Sequence, residues 1–383
     1  MLLALLGGVA SAVPARAQTM GATLTTRITA MSDSITSTAD GADQPAPSAA
    51  RNGGVFAETN GLWSRRRGRQ QIEFGGGLHL RTGTGTGTIA LDERSAHASW
   101  QLRSSRTTRL ESNWHLTISP RYAIGIPQPD QVATAASSID LPAMRNTTTG
   151  GALRLSHEFD RRTSGELQLA AERLALAAGS SAVTLRLSGS TARRLTRSAG
   201  AVLRLTHSRA ASSGAGQEVR SSSEMLVGLS WRHDHTSMTA GVLPTLSATA
   251  GEDRTTTALR IGWAASVDHE WRRHWRSGVT LQRSLLAGAG YSAPIYASSL
   301  SANGTGRFGR VSLTGSAATV ASDEASRAHA LTAGLVARLT STAEATFEFQ
   351  DTVMQRVPIA AAAMTDDLRG RRLRASLTIA LSR

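Results

Sequence analysis

Val183-Thr184-Leu185-Arg186-Leu187-Ser188 places an apolar side chain at every second position and a polar one between each pair. The same period of two recurs in Leu331-Thr332-Ala333-Gly334-Leu335 and in Leu373-Arg374-Ala375-Ser376-Leu377-Thr378-Ile379. Successive side chains of a β-strand point to opposite faces of the sheet, whereas a helix repeats about every 3.6 residues. The alternation therefore predicts strands with one apolar face and one polar face.

Segments of this kind follow one another through most of the chain, and most are long enough to cross a bilayer as tilted strands of about 9–11 residues. Longer connections mostly alternate with short ones, as in outer-membrane barrels. The predicted fold class is all-β: an antiparallel transmembrane β-barrel of about 16 strands, with a range of roughly 12–18. Its first segment is also open to division into two strands. The segments are 71–91, 95–104, 107–119, 148–158, 163–174, 181–191, 197–208, 222–233, 235–248, 255–268, 275–287, 297–305, 308–321, 328–340, 342–353 and 369–382.

The composition restricts the chemistry that the chain can perform. Among 383 residues there are 42 Lys+Arg, all of them Arg, and 28 Asp+Glu, which gives a formal net charge of +14. Cysteine is absent, which excludes disulfides, thiolate metal sites and Cys nucleophiles. Aromatic residues make up only 4%, so a compact soluble core would lack the large side chains that usually fill one.

The chain divides into three regions by composition. Residues 1–17 combine a short apolar run with Ala15-Arg16-Ala17, the form of a signal peptidase site, and are predicted to be a signal peptide. Residues 18–70 are rich in Ser, Thr, Ala, Asp and Pro, and are interpreted as a disordered periplasmic lead or a partial plug. Residues 71–383 carry the alternating segments and are predicted to form the barrel.

From about residue 70 to the end, the chain resembles the bacterial outer-membrane β-barrel proteins of the porin-like kind, including those associated with polysaccharide export. Hairpins such as Gly150-Gly151-Ala152-Leu153-Arg154-Leu155-Ser156-His157-Glu158-Phe159-Asp160-Arg161-Arg162 carry the likeness. The resemblance implies a Gram-negative outer-membrane location and a role in transport.

The phase of the alternation assigns charged residues to one face. An Arg that faced lipid at the bilayer midplane would cost about 2–4 kcal/mol, so the polar positions are expected to face the lumen. Two interpretations stay open: a water-filled pore whose Arg excess favours anions, or an Arg–Glu ladder that fills a nearly closed barrel. The proposed lumen-lining residues are Arg109, Arg154, Arg186, Arg204, Arg232, Arg260, Arg338, Arg374, Glu73, Glu111, Glu166, Glu224, Glu344 and Glu348.

Most tryptophans are expected near strand ends, where an indole bridges acyl chains and headgroups. Ordinary packing on the sheet is the alternative. The candidate interface aromatics are Trp100, Trp114, Trp231, Trp263, Trp271 and Trp275.

No catalytic, cofactor-binding or metal site is predicted. Gly304-Thr305-Gly306-Arg307-Phe308-Gly309 matches GxGxxG, but no helical pattern follows it, so a tight turn is expected. His233-Asp234-His235 straddles a predicted turn without a third metal ligand, and Asp268-His269-Glu270 precedes a basic, aromatic stretch. No Gly-x-Ser-x-Gly elbow is present.

The leading hypothesis is a non-enzymatic outer-membrane barrel that acts as a passive pore or as the outer-membrane component of an export system. The expected partners are outer-membrane lipids and lipopolysaccharide, with export components or small anionic solutes. Nucleic acid is not expected, because the arginines are mostly spread singly through the strands. The exception is the cluster from Arg65 to Arg69, which is interpreted as a solvated basic linker touching anionic lipid. Two alternatives remain: an exported β-rich, adhesin-like surface protein without a pore, and a reading frame that does not encode a natural protein.

Overall fold

A computed structural model describes residues 18–38, 49–83, 89–119, 122–125, 138–141, 146–176, 181–213, 218–250, 255–272, 274–286, 295–322, 327–355 and 367–382. Within these ranges no helix is present that could span a membrane. The strands are β1 (Gln18–Thr38), β2 (Ala49–Arg67), β3 (Gln70–Gly83), β4 (Ile89–Arg103), β5 (Thr108–Ser119), β6 (Tyr122–Gly125), β7 (Ser138–Leu141), β8 (Asn146–Glu158), β9 (Thr163–Leu176), β10 (Ser181–Arg194), β11 (Ala199–Ser213), β12 (Glu218–His233), β13 (Thr236–Ala250), β14 (Thr255–Arg272), β15 (Trp275–Leu286), β16 (Ile295–Phe308), β17 (Val311–Ser322), β18 (Arg327–Arg338), β19 (Ala343–Gln355) and β20 (Asp367–Ser382).

Eighteen of these strands form one closed antiparallel barrel. Each pairs with the next along the chain, and β20 returns to pair with β1, from Thr23 opposite Ser382 to Thr38 opposite Asp367. The short strands β6 and β7 pair only with each other, in the connection between β5 and β8. Closure leaves no free sheet edge, as a membrane-spanning sheet requires. The predicted fold class is confirmed, with eighteen strands against about sixteen expected.

The lead predicted for residues 18–70 is wrong for the part that the structure describes. Residues 18–38 and 49–67 form β1 and β2, which pair with each other from Gln18 opposite Arg67 onward. Their alternation is weak because Thr and Ala occupy many positions on both faces. Barrel closure through β20 supplies the pairing that fixes them as strands. The predicted signal peptide lies outside the described residues.

The first predicted segment, 71–91, proves to be two strands. It contains most of β3 and the beginning of β4, and residues 84–88 between them lie outside the described part. The register between β3 and β4 shifts next to His79, where one extra residue of β4 is accommodated. Such a bulge bends the strand locally and increases its twist.

The two ends of the barrel have different connections. At one end, here called the turn end, the strands are joined by residues 68–69, 104–107, 159–162, 195–198, 234–235, 273–274, 309–310 and 339–342. The other end, the loop end, carries mostly longer connections, including 39–48, 287–294 and 356–366. The first residue of β1 and the last of β20 both lie at the turn end. Short turns and chain termini face the periplasm in outer-membrane barrels, so the turn end is expected there.

A repeated hydrogen-bond motif closes four of the short turns. Asp160 Oδ1 accepts from the backbone N–H groups of Arg162 and Thr163, at 2.6 and 2.8 Å. Thr196 Oγ1 accepts in the same way from Ser198 and Ala199. Ser105 and Thr340 repeat the arrangement. A short side chain that accepts from the backbone two and three residues ahead explains why Ser, Thr and Asp occupy this position.

The pairing separates a mainly apolar outer face from a polar interior. Large exposed apolar side chains such as Leu185, Leu205 and Ile261 share the outer face. The residues between them, including Arg186, Arg204 and Arg260, lie on the opposite face. Because a lipid-facing surface is apolar, this arrangement fits a barrel that spans a membrane.

Candidate functional site

The barrel interior is the candidate functional site, and it is built from alternate positions of all eighteen barrel strands. All fourteen of the proposed lumen-lining residues occupy interior positions in the register. Arg186 lies opposite Ser208, and Arg204 lies opposite Ser190. Glu348 lies opposite Arg374 on the next strand. Their roles in lining a pore stay predictions, since placement on a face does not show what crosses the lumen.

One group of interior charges joins β5, β8 and β9. Arg154 Nη2 donates to Glu166 Oε2 at 2.5 Å, and Glu111 lies directly opposite Arg154 in the register. Glu111 is itself in an ion pair with Arg109. The side chains of Arg109 and Arg154 are 46% and 50% exposed, so water screens these pairs and each contributes little to stability. This part of the wall is hydrated and mixed in charge.

A second group lies where the first and last strands meet. Arg27 Nε and Nη2 donate to Ser376 Oγ at 3.0 and 2.8 Å, and Arg27 Nη2 lies 3.8 Å from Glu348 Oε1. Arg374 Nε lies 3.4 Å from Met31 Sδ. The sequence analysis missed Arg27 because it assigned β1 to the lead. The exposed Leu24 and Ile28, which alternate with interior Thr25 and Arg27, are the signal that could have found it.

The interior is packed toward the loop end and open toward the turn end. Buried interior side chains lie from the middle of the strands to the loop end, and include Phe56, Thr206, Ser222, Thr245, Gln282, Gln350, Thr352, Met354 and Arg372. The interior residues Arg109, Arg232 and Arg338, near the turns, are exposed. Interior side chains are therefore packed most closely in the loop-side half.

Cation–π contacts occur in the packed half of the barrel. The guanidinium carbon of Arg81 lies 5.6 Å from the ring centroid of Phe56, which also stacks on His79 at 5.0 Å. Arg260 and Arg283 lie 4.8 and 5.6 Å from the ring centroid of Tyr296, which is buried. Arginine stacked on an aromatic ring keeps its charge while its flat faces are desolvated.

The other candidate motifs are not assembled into chemical sites. His233, Asp234 and His235 lie at the β12–β13 turn, where Asp234 has a φ of 47°. Asp234 Oδ2 lies 3.5 Å from His233 Nε2. His269 lies on the outer face and shares a hydrogen bond with Thr236, whereas its neighbours Asp268 and Glu270 lie on the interior face. Among the described residues, no group of three or more His, Cys, Asp or Glu side chains could hold a metal. The GxGxxG match runs along β16 into the short turn at Gly309, which has a φ of 57°.

The aromatic candidates are concentrated near the turn end. Trp100, Trp231, Trp271 and Trp275 lie close to turns, whereas Trp114 and Trp263 lie in the middle of their strands. Sequence reasoning missed Trp63, which stacks on Phe74 of β3 at 5.8 Å on the outer face. It also missed Phe159, in the β8–β9 turn, and Phe308, at the end of β16. Their roles at the membrane interface stay predictions.

No family model matches the sequence, and no curated protein matches it. Solved structures share the fold at low identity. The FrpB iron transporter of Neisseria meningitidis (F5-1 variant) aligns with a TM-score of 0.54 at 9% identity, over 94% of this chain and 82% of that one. Its apoprotein form aligns at 0.53 and 10% identity over 88% of this chain, which spans only 61% of that structure. OccK9 (OpdG) of Pseudomonas aeruginosa aligns at 0.50 and 12% identity, over 94% and 98% of the two chains.

These comparisons show a shared barrel fold. One of the aligned proteins, FrpB, is named as an iron transporter. Together with the closed sheet and the apolar outer face, the fold makes this protein an outer-membrane β-barrel.

Proposed function

We propose that this protein is a passive outer-membrane pore whose polar, mildly cationic lumen admits small anionic solutes. The observation that carries the proposal is the excess of arginine on a wall that is otherwise polar. The lumen-lining set holds eight arginines and six glutamates. Outside that set, nine further arginines and eight further carboxylates hold interior positions in the register: Arg27, Arg66, Arg81, Arg103, Arg194, Arg220, Arg276, Arg307 and Arg372, with Asp33, Glu58, Glu93, Glu158, Glu172, Glu218, Asp268 and Glu270.

The position of the arginines along the lumen supports anion preference, as their number does. Arg372 is only 7% exposed and lies in the packed half, where the passage is narrowest. Charges that line a narrow passage act on an ion at short range and with less screening by water than charges in a wide vestibule. An anion that enters from either end therefore passes guanidinium groups where the field is strongest.

Planar-bilayer recording of the purified protein tests the proposal. Across a KCl gradient, we expect discrete conductance and a reversal potential that reports anion preference. Replacing Arg186, Arg204 and Arg260 with Ser should reduce that preference, because all three lie on the interior face. Arg209→Ser is the matched control, since Arg209 lies on the outer face of β11 and should leave selectivity unchanged.

Two outcomes would contradict the pore. Unaltered selectivity in the triple variant would show that the interior arginines do not face the permeating ion. A protein without conductance would indicate a filled barrel or an adhesin-like surface protein, provided that it resists SDS until boiled, as folded barrels do. An export-system role stays a prediction.

A further inference from the structure

The turn end carries a rim of exposed arginines. The turn-end rim is defined here as the eight short turns and the two strand residues on either side of each. Its described side chains include four carboxylates, Glu158, Asp160, Asp234 and Glu344. Exposed arginines outnumber these carboxylates on the rim. They are Arg66, Arg67, Arg69, Arg103, Arg106, Arg109, Arg161, Arg162, Arg193, Arg194, Arg197, Arg232, Arg276, Arg307, Arg310 and Arg338.

The connections at the loop end have the opposite charge balance in their sequence. Acidic residues outnumber arginines there, with Asp40, Asp43, Asp130, Asp140, Glu252, Asp253, Asp323, Glu324 and Asp366 against Arg121, Arg145, Arg254 and Arg356. The net charge of +14 is therefore not spread evenly along the barrel axis. Positive charge collects at the turn end.

One part of the rim forms a defined cleft. Arg67, Arg69 and Arg103 line an open cleft of about 480 Å³ between the β2–β3 and β4–β5 turns, together with Gln70, Leu102 and Ser104. Arg69 Nη1 donates to the backbone oxygen of Ser104 at 2.8 Å, which fixes its guanidinium at the cleft. A guanidinium has five N–H donors, so further donors remain for an anion. Leu102 lies on the outer face, so the cleft borders the lipid-facing surface.

Exposed aromatic side chains accompany the rim. Phe159 and Trp271 are 66% and 67% exposed, and Trp275 packs edge-on against Phe308 with ring centroids 5.2 Å apart. The Trp271 indole N–H donates to Ser277 Oγ at 2.7 Å. Aromatic side chains with a polar handle favour the boundary between acyl chains and headgroups. The rim arginines on the outer face or in the turns, such as Arg67, Arg69 and Arg193, therefore lie at the depth of the headgroup phosphates. Arg109, Arg232 and Arg338 of the rim face the lumen instead.

We infer that the turn-end rim, with the cleft of Arg67, Arg69 and Arg103 as its defined site, binds the phosphate groups of anionic phospholipids in the periplasmic leaflet. Arginine pairs with phosphate through two parallel N–H donors and keeps its charge at any physiological pH. Clusters of basic residues beside a membrane surface attract anionic lipid by about 1 kcal/mol per side chain. Charge complementarity selects lipid phosphate for this end, and the acidic loop connections disfavour it at the other.

Quenching of tryptophan fluorescence by brominated lipids tests the inference. The full chain is reconstituted in phosphatidylcholine bilayers that contain either brominated phosphatidylglycerol or brominated phosphatidylcholine in equal amount. We expect stronger quenching by phosphatidylglycerol, because several tryptophans lie beside the rim. In the variant R67Q/R69Q/R103Q the preference should fall at least about fivefold, the factor that corresponds to about 1 kcal/mol.

The matched control removes as many charges from the loop-side half. Arg173, Arg209 and Arg327 are exposed and lie on the outer face, and R173Q/R209Q/R327Q should keep the preference. Resistance to SDS before boiling checks that both variants fold. The proposed lipid site would be overturned if both variants lost the preference for phosphatidylglycerol equally, or if the unmodified protein showed no such preference. Loss of the preference on adding inorganic phosphate at constant ionic strength would overturn its assignment to lipid.

These results are independent of conductance. A barrel without pore activity can still prefer phosphatidylglycerol, and a pore can lack that preference.

Discussion

The two halves of this barrel have the same alternating strand pattern, but they differ in how the interior is packed and in the charge of their ends. Toward the turn end the interior is hydrated, with exposed Arg109 and Arg154, and the rim is basic. Toward the loop end the interior is packed around residues such as Phe56, Thr245 and Thr352, and the connections are rich in carboxylates. Alternation determines the inside and outside of a barrel, whereas side-chain volume and charge along each strand distinguish one end from the other.

The largest expected effect tests whether the loop-side half is tightly packed. A Cβ at Gly262, an interior position, would clash with the backbone oxygen of Arg283, whereas one at Gly21, an interior position near the turn end, would lie 3.3 Å from the side-chain oxygen of Ser64. We expect Gly262→Ala to lower the free energy of unfolding by about 1–3 kcal/mol, because backbone must shift. Gly21→Ala should change it by less than about 0.5 kcal/mol, because only the Ser64 hydroxyl must move. Urea unfolding, followed by gel mobility without boiling, measures both; equal effects would contradict the difference in packing.

The second prediction concerns selectivity along the lumen. Arg372 and Arg338 both lie on the interior face, but Arg372 is buried in the packed half and Arg338 is exposed beside a turn. Arg372→Ser should shift the reversal potential several-fold more than Arg338→Ser, because water screens the charge in the wide half. Both variants remove one positive charge, so each is the control for the other. A larger shift for Arg338→Ser would place the selective region at the turn end.

The smallest expected effect lies within the turns. Backbone N–H donation from Arg162 is the main cause that lowers the pKa of Asp160, with further lowering from Thr163. A lowered pKa in the folded state means that the stabilisation is present above the ordinary carboxyl pKa and is lost as the pH falls through the lowered value. The Thr196 turn makes the same two contacts with a hydroxyl that does not titrate in this range.

Amide hydrogen exchange measures this difference. After correction for the intrinsic exchange rate, the Thr163 amide should lose protection from exchange as the pH falls, whereas the Ala199 amide should not. Parallel protection of the two amides down to strongly acidic pH would contradict a role for the Asp160 carboxylate.

The sequence predicts the class of fold because the barrel's main constraint is local. Where Leu alternates with Arg or Ser, as around Arg186 and Arg204, the face of each residue follows from its neighbours. Where Thr and Ala occupy both faces, as in β1, the contrast between faces is too small to show a strand. Only pairing with β20, at the far end of the chain, fixes β1, and no local pattern contains that information.

The candidate site divides in the same way. The phase of the alternation is enough to place Arg154 and Glu166 on one face. It does not show that Arg372 is buried while Arg338 is exposed, because burial depends on side chains from strands distant in sequence. The basic rim as a whole follows only from closure. Its arginines come from eight separate turns, some in short clusters such as Arg161–Arg162 and Arg193–Arg194, and only the closed barrel brings the turns to one end.

The pairing of β1 with β20 also has a consequence for the time course of folding. β1 finds one of its two partners only when β20 has been made, so the barrel cannot close before then. Until then the unpaired edges of β1 and β20 expose backbone N–H and C=O groups that can pair with any other strand. The contacts of residues 23–38 with residues 367–382 are strongly non-local, and such contacts slow folding. The pairing that includes the hydrogen bonds from Arg27 to Ser376 is therefore expected to form late in folding.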